Sequence, residues 1–117
     1  MVYSAESESL AALELLVHLQ SSHLLVSYCS IWIDLDGIPS ETADIATLPT
    51  EWRDYPAPSA LQRIGDRWAS AQSSVVLQVP SAIVPNEVNY LLNPRHPNFV
   101  DLRFGEPVPF QFDPRLK

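Results

Sequence analysis

The sequence predicts a single α+β domain with two main helices and a mostly antiparallel, turn-rich sheet. Three observations carry that prediction. Residues 9–20 and 59–68 space their apolar side chains as helices do. Residues 23–35 and 74–81 and most of the last third are rich in β-branched and aromatic residues. Eleven prolines against three glycines fix many turns between short elements, which does not suit a helical bundle. With 117 residues, 46% of them apolar and 18% charged, the chain is long enough for one hydrophobic core and too apolar for disorder.

Taken in order, Met1-Val2-Tyr3 reads as the end of a strand. Ser4 or Ser7 then caps a helix, with Glu6 and Glu8 near its positive N-terminal end. That helix, SLAALELLVHLQ, is apolar almost all the way round. Leu10, Leu13 and Val17 form one stripe and Ala12, Leu16 and Leu19 the next, the pattern of a central helix covered on most sides. HLLVSYCSIWIDL, residues 23–35, reads as one long strand. A proline-bounded acidic loop over 36–58 follows and carries Trp52. Ser59 opens the second helix through a Ser59-x-x-Gln62 capping box, and Leu61, Ile64 and Trp68 fall at helical spacing. SVVLQVPS is a short buried strand ended by Pro80. NYLLNP, NFVDLRF and PFQF complete a strand-rich third, with Pro94, Pro97, Pro107, Pro109 and Pro114 at the joints.

The net charge of −7 is unevenly placed. Residues 1–52 hold eight acids and no Lys or Arg, while residues 53–117 hold seven cations and six acids. An acidic chain without a basic cluster is a poor direct ligand for nucleic acid, because counterion release needs Lys and Arg. The asymmetry either aids solubility alone or faces a cationic piece of protein. Cys29, the one cysteine, has no internal disulfide partner, which fits a reducing compartment. The first basic residue is Arg53, so a secretory leader with its basic start is not expected. Glu14, His18, His23 and several serines interrupt the apolar run 10–35, so a membrane span is not expected there. The expected location is the cytoplasm.

Glu14 is the first candidate for chemistry. It is the only formally charged residue between Ser9 and Ile33, and it shares a stripe with Leu10, Leu13 and Val17. A carboxyl group there is paired, protonated or at the wall of a cleft, since burying it bare is costly. Pairing with an Arg or a backbone amide in the core would make it purely structural. His18 lies one turn later, where an i,i+4 contact is easy but usually incidental. The three histidines and one cysteine have no zinc-ligand spacing. Three isolated glycines make no phosphate loop, and no G-x-S-x-G elbow supports a hydrolase serine. Ser81 follows Pro80 at the end of a buried strand, where a serine turn satisfying local backbone groups is the simplest role.

The stretches VYSAESESLAALELLVHL, LPTEWRDYPAPSALQRIGDRW, VLQVPSAIVPNEVNYLLNPRHPNF and the terminal FQFDPRL, in this order and spacing, resemble the RES domain family, named for an arginine, a glutamate and a serine. The resemblance covers nearly the whole chain. It implies a fold similar to the ADP-ribosyltransferases. It also implies a toxin of bacterial toxin–antitoxin pairs that cleaves the nicotinamide–ribose bond of NAD+, with phosphate or water as acceptor. NAD+ would be substrate and no further cofactor or metal is implied. The expected partner is an antitoxin with an Xre-type helix-turn-helix, and a homodimer is compatible with the pattern. By motif, the family glutamate falls on Glu14 as the catalytic residue, and the serine on Ser81 and the tyrosine on Tyr3 as substrate-binding residues. The family's arginine, and a second one in a Gly-Gly-Arg-Trp-Asn-like stretch, lie upstream of the Tyr3 motif. The expectation is therefore a RES domain over residues 1–117, truncated at its N-terminus, lacking its first strand or strands and impaired in NAD+ cleavage. The alternative expectation is a non-catalytic remnant that only binds an antitoxin or another protein.

Overall fold

The computed structural model describes residues 1–20, 22–23 and 26–116. Its elements are β1 (Val2–Ala5), α1 (Glu8–Leu16), β2 (Tyr28–Ser30), β3 (Ile33–Asp34), β4 (Ser40–Thr42), α2 (Ser59–Ala71), β5 (Val76–Pro80), β6 (Val88–Leu92), β7 (Arg103–Phe104) and β8 (Val108–Phe110). The architecture is α+β. The main sheet runs β1-β6-β5-β4, antiparallel except for the parallel β4–β5 pair. Two small antiparallel ribbons, β2–β8 and β3–β7, lie beside it.

Register decides which side chains meet. Val2, Leu92 and Val76 stand opposite one another across three strands, so they share one face; Tyr3, Leu91 and Leu77 share the other. The first face packs Val76 and Leu92 with Val75 and Leu102, covered by Ile33, Leu35, Ile38 and Phe99. The second packs Leu77 and Leu91 against Trp68 of α2. The Trp68 indole N–H donates to Ser74 Oγ at 3.0 Å, so its polar atom is satisfied inside the core. The helix ends at Gln72, in the left-handed region with φ 53°.

Several sequence expectations need correction. The first helix is not covered on most sides. Ser7, rather than Ser4, caps it, its Oγ accepting from Leu10 N at 3.1 Å. Only Leu10 is buried, whereas Leu13, Leu15 and Val17 remain 40%, 39% and 50% exposed. A helix of nine residues at the sheet margin makes about two and a half turns, and one stripe of it reaches the strands. The long strand over 23–35 is two short ones, β2 and β3, that pair with different partners; its residues 24 and 25 lie outside the described residues. Pro107 and Pro109 limit the facing ladder, because proline supplies no N–H.

The acidic loop contains a strand that its polar sequence conceals. β4 is exposed at all three positions; it joins the sheet through its backbone ladder to β5, and its Glu41 side chain accepts from Ser73 Oγ just before that strand. The Ser59 capping box does not form. Pro58 occupies the N-cap, which places Ser59 inside the first turn, where its Oγ accepts from Arg63 Nη1 at 3.3 Å. Most of NFVDLRF is a 3-10 turn over Pro97–Asp101, with strand only at Arg103–Phe104. Among the described residues, no helix is long and apolar enough to cross a membrane.

Candidate active site

Ser81 ends β5 and touches a functional candidate as well. It is fully buried. Its Oγ accepts from the backbone N–H groups of Ile83 at 3.2 Å and Val84 at 3.1 Å, a serine turn that starts the return toward β6. The same hydroxyl donates to Glu14 Oε2 at 3.1 Å. With its proton committed to Glu14, the hydroxyl has its acceptor lone pairs turned to the two amides.

Glu14 is half-buried on α1, and both carboxyl oxygens are held by neutral donors. Oε2 takes the Ser81 hydroxyl, and Oε1 takes Asn89 Nδ2 at 2.7 Å. Asn89, on β6, is fully buried and bridges further. Its Nδ2 also donates to the Ser4 carbonyl at 3.2 Å, and its Oδ1 accepts from the Tyr3 hydroxyl at 3.1 Å. Thus Tyr3, Glu14, Ser81 and Asn89 form one hydrogen-bonded network drawn from β1, α1, the turn just after β5, and β6. The sequence expected Glu14 to be structural only by meeting an Arg or a backbone amide. The partners are a hydroxyl and a side-chain amide instead, and among the described residues no cation stands within ion-pair distance. Two of the carboxylate's roughly four lone-pair directions remain available.

Tyr3 is divided in its surroundings. The residue is 62% exposed overall, yet its hydroxyl end reaches buried Asn89. Burial of the phenol and, second, the negative charge of Glu14 raise its pKa above the usual tyrosine value. The phenol therefore stays protonated at neutral pH and serves as a donor. The exposed ring is free to meet a planar group.

The network sits on one side of the sheet. Tyr3, Ala5 and Asn89 share the α2 face, by register. A cleft of about 610 Å³ lies beside β1 and continues to the other face. Its walls include Val2, Ala12 and Leu15 on one side and Tyr28, Trp32 and Phe110 on the other. Of the network only Tyr3 reaches its wall. Glu8 of α1 and Ser30 of β2 both line this cleft, and Glu8 accepts from Ser30 Oγ at 2.8 Å.

His18 falls beyond the end of α1, with its ring 6.3 Å from that of Tyr55, and it makes no bond to Glu14. Cys29 is exposed. Among the described residues no group of His, Cys, Asp and Glu is placed to hold a metal ion. Sequence reasoning missed Asn89. Its signal was there: an amide side chain in VNYLL, among strand formers and on an inward-facing position, needs a polar partner.

Against known proteins, the model of the family described as RES domain matches residues 1–113. The chain belongs to the RES domain family. A protein named Toxin Res from Yersinia enterocolitica serotype O:8 / biotype 1B is 44% identical over 117 residues, which cover 99% of this chain and 77% of that one. The Prs ADP-ribosylating toxin of a Sphingobium species is 36% identical over 119 residues, covering 99% of this chain and 74% of its own. A third, Toxin Res of Photorhabdus laumondii subsp. laumondii, is 43% identical over 99 residues, covering 84% of this chain and 63% of its own. The RES match spans every member of the Tyr3–Glu14–Ser81–Asn89 network.

Proposed function

We propose that this RES domain cleaves NAD+ at the bond between nicotinamide and ribose, with Glu14 as the catalytic carboxylate. The observation that carries the reading is the double clamp on Glu14, whose two oxygens are oriented by Ser81 and Asn89 with no opposing cation among the described residues. In the reaction the C1′–N bond breaks and its electron pair neutralises the pyridinium ring. Positive charge develops on the ribose, an oxocarbenium-like state also met in glycoside hydrolysis. A carboxylate already fixed by its neighbours stabilises that charge without reorganising, unlike water. The acceptor, water or inorganic phosphate, then bonds C1′ and releases a proton. Ser81 and Asn89 position Glu14, and the exposed Tyr3 ring offers a face to the nicotinamide or ribose. The name of the Sphingobium relative, an ADP-ribosylating toxin, concerns the same class of bond in that protein.

A toxin of this kind is held in check by a partner, and we propose an antitoxin with an Xre-type helix-turn-helix in that role. The second reading, a domain that binds such a partner without chemistry, is favoured by the cleft beside β1, which most of the network does not reach. Nicotinamide release from NAD+ by the purified protein separates the two. Release that falls with Glu14→Gln supports catalysis by that carboxylate; release unchanged by the substitution overturns Glu14 as the catalytic group, and none from folded wild type supports the binding module. Repeating the assay with and without phosphate, and identifying ADP-ribose or its 1″-phosphate, fixes the acceptor.

A further inference from the structure

We propose that Arg53 anchors the phosphate next to the scissile ribose in this same site; the inference rests on the NAD+ reading above. Arg53 lies in the loop between β4 and α2, and its Nε donates to the Ala82 carbonyl at 2.9 Å. Ala82 is the residue after Ser81, so the guanidinium is tied to the turn that presents Ser81 to Glu14. Two residues on, the Tyr55 ring stands 6.3 Å from that of His18, just past the end of α1. Tyr55 is itself 88% exposed, so the contact that places this loop beside the Glu14–Ser81 pair is the Arg53–Ala82 bond.

Arg53 is also an unspent cation. Among the described residues the one ion pair joins Arg115 to Asp113, so no carboxylate neutralises Arg53. With Nε fixed on Ala82, both terminal nitrogens remain as a fork, the geometry that suits two phosphate oxygens. The other five described arginines are placed elsewhere: Arg63 bonds Ser59 within α2, Arg67 is on the same helix, Arg95 follows β6, Arg103 lies in β7, and Arg115 is paired. In NAD+ the nearest phosphate is separated from the nicotinamide ribose by only its C5′ carbon and one ester oxygen. A cation fastened beside the residues that meet the ribose is thus placed for that phosphate.

Calorimetric binding of ADP-ribose and of adenosine, which lacks phosphate, tests this with wild type, Arg53→Lys, Arg53→Gln and Glu14→Gln proteins whose folding is checked by circular dichroism. Arg53→Gln keeps a donor for Ala82 and removes the charge; Arg53→Lys keeps the charge. The expected result is about tenfold weaker ADP-ribose binding for Arg53→Gln, smaller loss for Arg53→Lys, and unchanged adenosine binding. Wild-type affinity for ADP-ribose should also fall as salt is raised. ADP-ribose binding by Arg53→Gln equal to wild type, or equal losses for both ligands, overturns the anchor alone. A wild type that binds no ADP-ribose overturns both the anchor and the NAD+ reading. NAD+ cleavage that survives Glu14→Gln, with binding still dependent on Arg53, removes only the catalytic reading.

Discussion

The helix α2 buries Trp68 to 6% exposure and turns its charged side to water, whereas α1 buries only Leu10 and leaves Leu13, Leu15 and Val17 substantially open. α2 carries more charge and yet lies more firmly on the core. α1 is the more apolar and is tied instead through polar contacts, from Glu14 to Ser81 and Asn89 and from Glu8 to Ser30. The difference teaches that a helix's apolar content does not measure how much of it the fold covers. Amphipathic α2 supplies stability, and α1 is a mount that holds one carboxyl group at the end of β5.

Substitutions can break or sharpen that contrast. The largest effect should be Glu14→Gln on α1, a loss of about a thousandfold in nicotinamide release with a melting temperature near that of wild type. Retained activity, or unfolding, would make α1 as structural as α2. Next comes Trp68→Ala on α2, which empties a core position and removes the indole donor to Ser74 Oγ, leaving Ser74 only its bond to the Val76 carbonyl. It should cost about 3–5 kcal/mol in urea unfolding. A cost under about 1 kcal/mol would remove α2's claim to be the anchor.

Ser81→Ala tests the link between the two roles. It leaves Glu14 Oε2 without its donor and the Ile83 and Val84 amides without their acceptor, and should destabilise by about 1–3 kcal/mol. It should also lower activity by more than the unfolded fraction explains. Tyr3 adds a pH dependence. Its pKa is raised in the folded state, so its contribution to stability is complete below the unfolded value of about 10 and is lost as pH rises through the higher folded one. Thermal melts between neutral and strongly alkaline pH should show less alkaline loss for Tyr3→Phe than for wild type. The smallest effect belongs to Leu13→Lys on the open side of α1, within about 0.5 kcal/mol. A large loss, or a melting temperature that rises with protein concentration, would show that another chain covers this face.

Much of the site was legible in the sequence. A single acid in an apolar helix, and a serine after the proline that ends a buried strand, both stand out against their neighbours; the order and spacing of four longer stretches carried the resemblance to the RES domain family. Asn89 was legible only in hindsight, because strand alternation shows that its side chain points inward without showing what it meets. The sequence also determined the α+β class, α2 and the buried strands β5 and β6, since periodicity and β-branched content are local properties. The tertiary structure alone decided three things: that Glu14, Ser81 and Asn89 converge, that β4 joins β5 through an all-polar SET segment, and that the apolar α1 stays half open. Each depends on which distant backbone or side chain is adjacent in space. A hydrogen bond spanning 67 residues, from Ser81 to Glu14, leaves no trace in the spacing of nearby residues.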